Sequence, residues 1–422
     1  MSLPGRRHPT HEAPGGDRKR RIRISRASVW GVQNDSPAAG LGDAPNGGPL
    51  DGVLVADFSR VLAGPYATMV LADLGATVIK VESPSGDDTR TWRPPVLDDV
   101  ATYYLSINRN KRSIVLDLAD DGDRDVAQKL AARADVLIEN MKPGGMTKFG
   151  LDHGTVSAGN PGVVYCSISG FGTRGGAHLP GYDLLAQATS GLMSLTGDAD
   201  GKPFRVGAAM FDVLTGLHAA VAVTAALRHR DATGEGQLLE TNLLSTAMSC
   251  LVNQTEAFVA AGVVPSRMGN AHPSVFPYEP MPTGDGELIV IAANDGQFRK
   301  LCTVLGDPAM AEDPRFATMG GRLENRTEIR ERLLARLATR SAKEWFDAIT
   351  AAGVPCGPIN SIDQGVALAE ELGLEPVVRA GDDAAIPTVR NPVEYSGTPP
   401  TYRRSPPTLG ADSDEVRAWL AG

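Results

Sequence analysis

Gly52-Val-Leu-Val-Ala-Asp-Phe58 is a short apolar run, Ser59-Arg-Val-Leu-Ala-Gly64 a turn, and Ala76-Thr-Val-Ile-Lys-Val-Glu82 a second apolar run. Between the turn and the second run lies Pro65 to Leu74, closed by Gly75. The first reads as a buried strand and the second as the next strand. Pro65 suits the first position of a helix, where its missing N–H costs nothing, and Gly75 suits the stop. Strand, helix and strand in that order make a βαβ unit, so a parallel sheet is expected. The turn lacks G-x-G-x-x-G, which leaves a dinucleotide reading with little support.

Downstream the alternation continues. Ser113-Ile-Val-Leu-Asp-Leu118 reads as a strand, Asp123–Arg133 as a helix, Asp135-Val-Leu-Ile-Glu139 as a strand and Val163-Val-Tyr-Cys-Ser-Ile168 as another. Such alternation predicts a doubly wound, Rossmann-like α/β domain, in which ligands sit at the carboxyl ends of the strands. The loops after Phe58, Glu82, Glu139 and Ile168 should therefore converge. Helices are expected from about Asp183 to Thr196 and from about Asn242 to Ala261. Beyond Ser266 the pattern shifts to an antiparallel-looking pair around Glu287–Ile291 with helices at Gln297–Leu305, Thr327–Thr339 and Ser341–Ala352, a smaller α+β domain. The expected organisation is a large domain over 51–240, a linker helix over 241–265, the small domain over 266–365, and a segment over 366–422 that returns to the large domain. Upstream, residues 1–50 are rich in Pro, Gly, Arg and Ser and show no sustained period, so a disordered extension is expected.

Composition narrows the function. With 422 residues, 42% hydrophobic and 22% charged, the chain is an ordinary globular protein. Its net charge of −9 argues against a nucleic-acid surface. No uninterrupted apolar run reaches the roughly 18 residues of a membrane span. Cys166, Cys250, Cys302 and Cys356 are far apart and read as reduced thiols of an intracellular, cytoplasmic protein. An organellar matrix is the alternative if the extension is a targeting peptide. P-loop, G-x-S-x-G and H-E-x-x-H motifs are missing, and no histidines pair at metal spacing, so no metal is expected.

One acid stands apart. Arg205-Val-Gly-Ala-Ala-Met-Phe-Asp212 leads into the apolar Val213–Leu227, placing Asp212 near the start of a buried helix among small residues. The ordinary reading is a helix N-cap. Arg60, Arg90, Arg109, Lys111, Arg112, Asn140, Lys142 and Lys148 fall on loops at strand ends and together suit an anionic ligand, though each alone suits a solvated face.

Asp57-Phe-Ser-Arg-Val-Leu-Ala-Gly-Pro-Tyr66 through Glu82 resembles the opening of the class III CoA-transferases, the family of formyl-CoA transferase and carnitine CoA-transferase. Gly86-Asp-Asp-Thr-Arg90, Asn110-Lys-Arg-Ser-Ile114, Glu139-Asn-Met-Lys-Pro-Gly144, Gly181-Tyr-Asp183, Ser190–Gly197 and Gly269-Asn-Ala-His-Pro273 are also similar, in order. Within the family, Tyr103–Lys111 and Gly353–Asn360 resemble the succinate–hydroxymethylglutarate (glutarate) CoA-transferases most. The resemblance implies that Asp212 is the nucleophile. It would attack a donor thioester such as succinyl-CoA, giving an acyl–aspartyl anhydride and CoA thiolate. The thiolate returns to form an aspartyl-CoA thioester, which an acceptor such as glutarate then attacks. An Asp suits this because it is ionised at neutral pH without a base.

The resemblance also places CoA, a substrate rather than a tightly bound cofactor, against Leu62 and Ala63, Ser83, Leu116 to Ala119, Asn140, Met141 and Lys142, Lys148, and Gly181, Tyr182 and Asp183. It implies an interlocked homodimer. Arg205 and Arg267 are the candidates to meet the far carboxylate of a dicarboxylic acceptor, and Met268–Pro273 is the candidate lid. The alternatives are an α-methylacyl-CoA racemase, whose Gly-His-Asp is Gly181-Tyr-Asp183 here, and a non-catalytic CoA-binding protein.

Overall fold

The main sheet has six strands, all parallel, in the order β3-β2-β1-β4-β5-β6. They are β1 (Leu54–Asp57), β2 (Thr77–Glu82), β3 (Lys111–Val115), β4 (Val136–Glu139), β5 (Val164–Ser169) and β6 (Gln237–Asn242). The coordinates are a computed structural model describing residues 37, 38, 40, 41, 47–381 and 386–422. Most of the expected N-terminal extension lies outside the described residues. Its drawn limit at residue 50 is nevertheless corrected, since Leu41 is buried in the core and its carbonyl accepts from Arg112.

The helices of the large part are α1 (Ala63–Asp73), α2 (Asp121–Arg133), α3 (His153–Gly159), α4 (Asp183–Thr189), α5 (Leu192–Leu195), α6 (Met210–Thr233), α7 (Leu243–Cys250) and α8 (Asn253–Ala261). The small part holds strands β7 (Tyr278–Pro282), β8 (Glu287–Ile291) and β9 (Cys356–Gly357) with α9 (Asp295–Val304), α10 (Arg326–Leu337) and α11 (Ala342–Ala351). A final helix, α12 (Ser413–Ala421), closes the chain.

Strand alternation sorts the core into two layers. Val55, Val78, Val136 and Val164 face α1 and α6, meeting Ala67, Leu71, Ala219, Val223 and Leu227. Leu54, Ala56, Ile79, Ile114 and Leu137 face the other way, against Leu130 of α2, Val156 of α3 and Val416 and Leu420 of α12. The C-terminal segment thus lies on β3, where Asp412 accepts from the Ser113 N–H at 2.8 Å. Helices α1 and α6 pack backbone to backbone. A Cβ on Gly216 would come within 2.6 Å of the Ala63 carbonyl oxygen, so only glycine fits there.

The small part has its own core, with Phe276, Leu288, Val290, Phe298, Leu333 and Trp345 fully buried. Strand β8 pairs antiparallel with both β7 and β9. Helix α11 opens on a reciprocal capping box between Ser341 and Glu344.

Three local expectations change. Helix α1 starts at Ala63, not Pro65, which still sits harmlessly in the first turn. The helix expected over 183–196 is split into α4 and α5 by Gly191, whose φ is 94°. The linker helix expected over 241–265 is two helices, because Val252 turns the chain with φ 43°. A β-branched residue there is strained. Helix α6 is long and apolar enough to cross a membrane, but it packs along α1 and the sheet and carries Asp212, Arg228, Arg230 and Asp231. It is the central helix of this core.

Candidate active site

The strand order reverses between β1 and β4, and the loops that follow these two strands part there to leave a crevice. It is a cleft of about 860 Å³. One wall is Arg60, Val61, Leu62 and Ala63, leading into α1, and another is Asn140 to Pro143 after β4. Ile168 to Gly172 after β5, Gly181 to Leu184 at the head of α4, and Arg205, Ala209 and Asp212 at the head of α6 complete it, with Trp92 and Tyr103 at the side. Gly170 and Gly181 let two of these walls touch. A Cβ on Gly170 would lie 2.4 Å from the Gly181 Cα.

Asp212 sits in the first turn of α6 and is not its cap. The N-cap position is Ala209, with no capping side chain. The free N–H groups of Phe211 and Asp212 go instead to Asp183 Oδ1, at 2.7 and 3.2 Å. Among the described residues no hydrogen bond or ion pair reaches the Asp212 carboxylate itself. Burial, then the charge of Asp183, push its pKa from 3.8 up to about 7. That lift departs from the expectation of an acid freely ionised at neutral pH. Tyr103 is held protonated by burial and by the charges of Asp212 and Asp183, its pKa raised to about 12. Its ring meets Trp92 edge-on, centroids 5.0 Å apart.

Beneath the first wall lies a buried set of charges. Asp57, Lys80, Lys111, Asp87 and Glu82 are all buried. Asp57 accepts from Thr68 Oγ1 at 2.6 Å and pairs with Lys111 at 3.3 Å. Lys80 donates to the Ser59 carbonyl at 3.0 Å and to Asp87 at 2.8 Å. Burial alone would raise the two aspartates, but Lys111 and Lys80 hold Asp57 below its ordinary value, and Lys80 does the same for Asp87. Burial draws Lys111 down to about 8 against the pull of Asp57. The set has a mechanical effect. Asp87 accepts the N–H of Val61 at 3.2 Å, and Val61 has φ 67°. Asn140 grips the neighbouring residue by donating to the Arg60 carbonyl at 2.8 Å and accepting its N–H at 2.9 Å. A strained turn is thereby fixed as a cleft wall.

Of the residues expected at a CoA site, Leu62, Ala63, Asn140, Met141, Lys142, Gly181, Tyr182 and Asp183 line this cleft, and so do Asp212 and Arg205. Four do not. Ser83 lies in an exposed turn with its hydroxyl 2.9 Å from that of Ser85, and Leu116 is buried in the core. Ala119 donates its N–H to Asp117, and the Lys148 ammonium lies over the Phe149 ring. Arg267 is also elsewhere, its guanidinium bonded to the carbonyls of Ser194, Asp198 and Gly201. Within the proposed lid, the His272 carbonyl accepts from Arg326 of α10, and none of Met268–Pro273 lines the cleft. The basic residues also divide. Arg60 and Lys142 face the cleft, whereas Arg90, Arg109, Lys111 and Arg112 are held in internal pairs. Reading the sequence singled out neither Trp92 nor Gln187, and it marked Asp87 only as part of the Gly86–Arg90 segment. Trp92 carried a signal as an aromatic in a chain with 5% of them.

Among the described residues no cluster of acids, histidines and cysteines could hold a metal. A cleft at the switch point of a doubly wound sheet, with an unpartnered acid at a helix head, fits acyl-group chemistry on a nucleotide-bearing ligand. Residues 50–413 match CoA-transferase family III, and the chain belongs to that family of enzymes, which transfer coenzyme A.

Its relatives sharpen the picture. The succinate–glutarate CoA-transferase of Agrobacterium fabrum is 43% identical over 389 residues, covering 90% of this chain and 97% of the relative. The succinyl-CoA:glutarate CoA-transferase of Mus musculus is 40% identical over 372 residues, covering 87% of this chain and 85% of the relative. The crystal structure of a CAIB/BAIF family protein from Brucella suis aligns with a TM-score of 0.80 at 40% identity, over 89% of this chain and 100% of that one.

Proposed function

We propose that this enzyme moves CoA from succinyl-CoA to a dicarboxylate such as glutarate, with Asp212 as the covalent nucleophile. One observation carries the reading. Of the three acids on the cleft, Asp88 pairs with Arg60 and Asp183 caps α6, which leaves Asp212 without a partner among the described residues. A desolvated, unpaired carboxylate is a strong nucleophile once ionised.

The sequence of bonds balances without ATP. The Asp212 carboxylate attacks the succinyl carbonyl, forming an anhydride and releasing CoA thiolate. The thiolate attacks the aspartyl carbonyl, forming an aspartyl-CoA thioester and releasing succinate. Glutarate attacks that thioester, regenerating thiolate and a new mixed anhydride. The thiolate then takes the glutaryl group and frees Asp212. CoA would lie along Leu62–Ala63, Asn140–Lys142 and Gly181–Asp183. Arg205 lines the cleft and its guanidinium, like the Asp212 carboxylate, has no hydrogen bond or ion pair among the described residues. It is therefore the better placed of the two arginines to meet the acceptor's far carboxylate, which would be costly to bury unpaired.

The reading includes a homodimer. Val221 on α6 is 67% exposed, Phe258 and Val259 on α8 are 58% and 70% exposed, and Val264 just after it is 76% exposed. A second copy is the simplest cover for apolar surface of this extent, and sedimentation would reveal a monomer if none exists. Incubation with succinyl-CoA and glutarate should yield glutaryl-CoA, and Asp212→Asn should yield none. Glutaryl-CoA formed by that variant at more than about one percent of the parent rate would reject Asp212 as nucleophile.

A further inference from the structure

The amide of Gln187 joins the segment that leads to Asp212 to the acid that holds Asp212's backbone. Gln187 lies on α4, one helical turn after Asp183, and is 0% exposed. Its Oε1 accepts the Val206 N–H at 2.9 Å. Its Nε2 donates to Asp183 Oδ2 and to the Ala208 carbonyl at 3.3 Å. Asp183 Oδ1 in turn receives the Phe211 and Asp212 N–H groups. One continuous chain of bonds thus runs from Val206 through Gln187 and Asp183 to the backbone of Asp212. Ala186, Phe211, Leu243 and Ala247 form a buried apolar cluster beside it, so water is a poor substitute for the buried links from Gln187 to Asp183 and from Phe211 to Asp183.

We propose that Gln187 is a positioning residue for Asp212, fixing the 206–208 segment and Asp183 together so that the nucleophile stands at one height in the cleft. This rests on the reading of Asp212 as the nucleophile. The network demands an acceptor and a donor at one side-chain end, which an amide supplies. Turning the amide over would set its oxygen against Asp183 and the Ala208 carbonyl, and its N–H groups against the Val206 N–H. Methionine keeps the volume and supplies neither bond. Glutamate keeps the shape but carries the needed donor only when protonated. The titratable groups around the network are Asp183 on the same helix, Asp212 on α6, Arg205 in the preceding segment and the Tyr103 hydroxyl. Helix α7 contributes only Cys250, and α5 none.

The test uses the full-length protein with succinyl-CoA, quenched after a single turnover, and intact mass to count CoA held on the enzyme. Wild type must form the adduct and Asp212→Asn must not. If wild type forms none, the nucleophile reading fails by itself. Given the adduct, the ratio of Gln187→Glu to wild-type rate should be near one at pH 6 and should fall about tenfold by pH 9, as the introduced carboxyl group ionises against Asp183. KM for succinyl-CoA should hardly change. Gln187→Met should be slower by about tenfold at every pH, with the same KM and no new alkaline limb. A Gln187→Glu ratio that is flat with pH, at any height, or a Gln187→Met rate equal to wild type would overturn the proposal.

Discussion

Replacing Asp212 by Asn should end transfer and at the same time stabilise the protein. The lift of this acid from 3.8 to about 7 is a change in proton affinity of roughly a thousandfold, or about 4 kcal/mol. The folded state holds the proton more tightly than the unfolded one. Folding stability therefore falls as pH rises from about 4 to about 7, and the whole penalty is present above that. Asparagine has no charge to desolvate or to face Asp183, so the variant escapes the penalty. Because Asp212 is only half-buried, solvent in the cleft screens part of the effect, and a gain of ~2 kcal/mol at pH 8 is the realistic expectation. Near pH 4 the gain should almost vanish, since the acid is then neutral in the folded protein and half neutral in the unfolded chain. Urea unfolding of both proteins at several pH values, at one protein concentration, measures the difference, and other acids cancel in it. A gain that does not grow with pH, or a variant less stable than the parent at pH 8, would refute the lifted acid.

The same acid predicts that kcat/KM for succinyl-CoA rises about tenfold per pH unit below pH 7 and levels above it; a flat profile between pH 5.5 and 8 would contradict this. Asp87→Asn should lose roughly 3 kcal/mol of stability by weakening the hold on Lys80, and should raise KM for succinyl-CoA as the Val61 turn relaxes. Asp73→Asn, which removes a buried pair with Arg109 away from the cleft, should lower stability alone, and equal KM effects in the two variants would deny Asp87 its role at the wall. Arg205→Met should weaken glutarate by ~2–3 kcal/mol in kcat/KM while leaving butyrate nearly unchanged; equal losses for both acids would place the clamp elsewhere.

What the sequence made legible followed from local pattern. Period and punctuation gave the βαβ opening and the parallel sheet, and an acid among glycines and alanines marked Asp212. The missed parts depend on partners distant in sequence. Lys80 and Asp87 look like ordinary strand and turn residues until the sheet sets them beside Asp57 and Lys111. Gln187 becomes informative only when α6 brings Val206 and Ala208 to it. The break at Val252 was invisible because nothing in a valine advertises a positive φ. Arg267 misled for a related reason. Its charge suited a carboxylate, yet the carbonyls of Ser194, Asp198 and Gly201 satisfy it.

The placement of Asp183 ties stability to reactivity. A helix head offers free N–H groups and the positive end of its dipole, and an acid in the first turn would ordinarily take them. In this structure Asp183 takes them, so Asp212 is left desolvated beside a second carboxylate. On the proposed mechanism each covalent intermediate, anhydride or thioester, removes the charge from Asp212. The repulsion and desolvation that penalise the resting carboxylate are then relieved, and that relief favours acylation over the free acid. The energy that Asp212→Asn should return to folding is thus the energy the parent enzyme uses to make an aspartate reactive. Asp183→Asn supplies the discriminating case. It keeps an acceptor for the Phe211 and Asp212 N–H groups but removes the charge and turns an NH2 toward Gln187 Nε2, so Asp212 should ionise at lower pH while also losing part of its positioning. The rise of kcat/KM should move to lower pH, and the plateau rate should fall. A plateau unchanged or raised would show that the neighbouring charge contributes nothing to the attack.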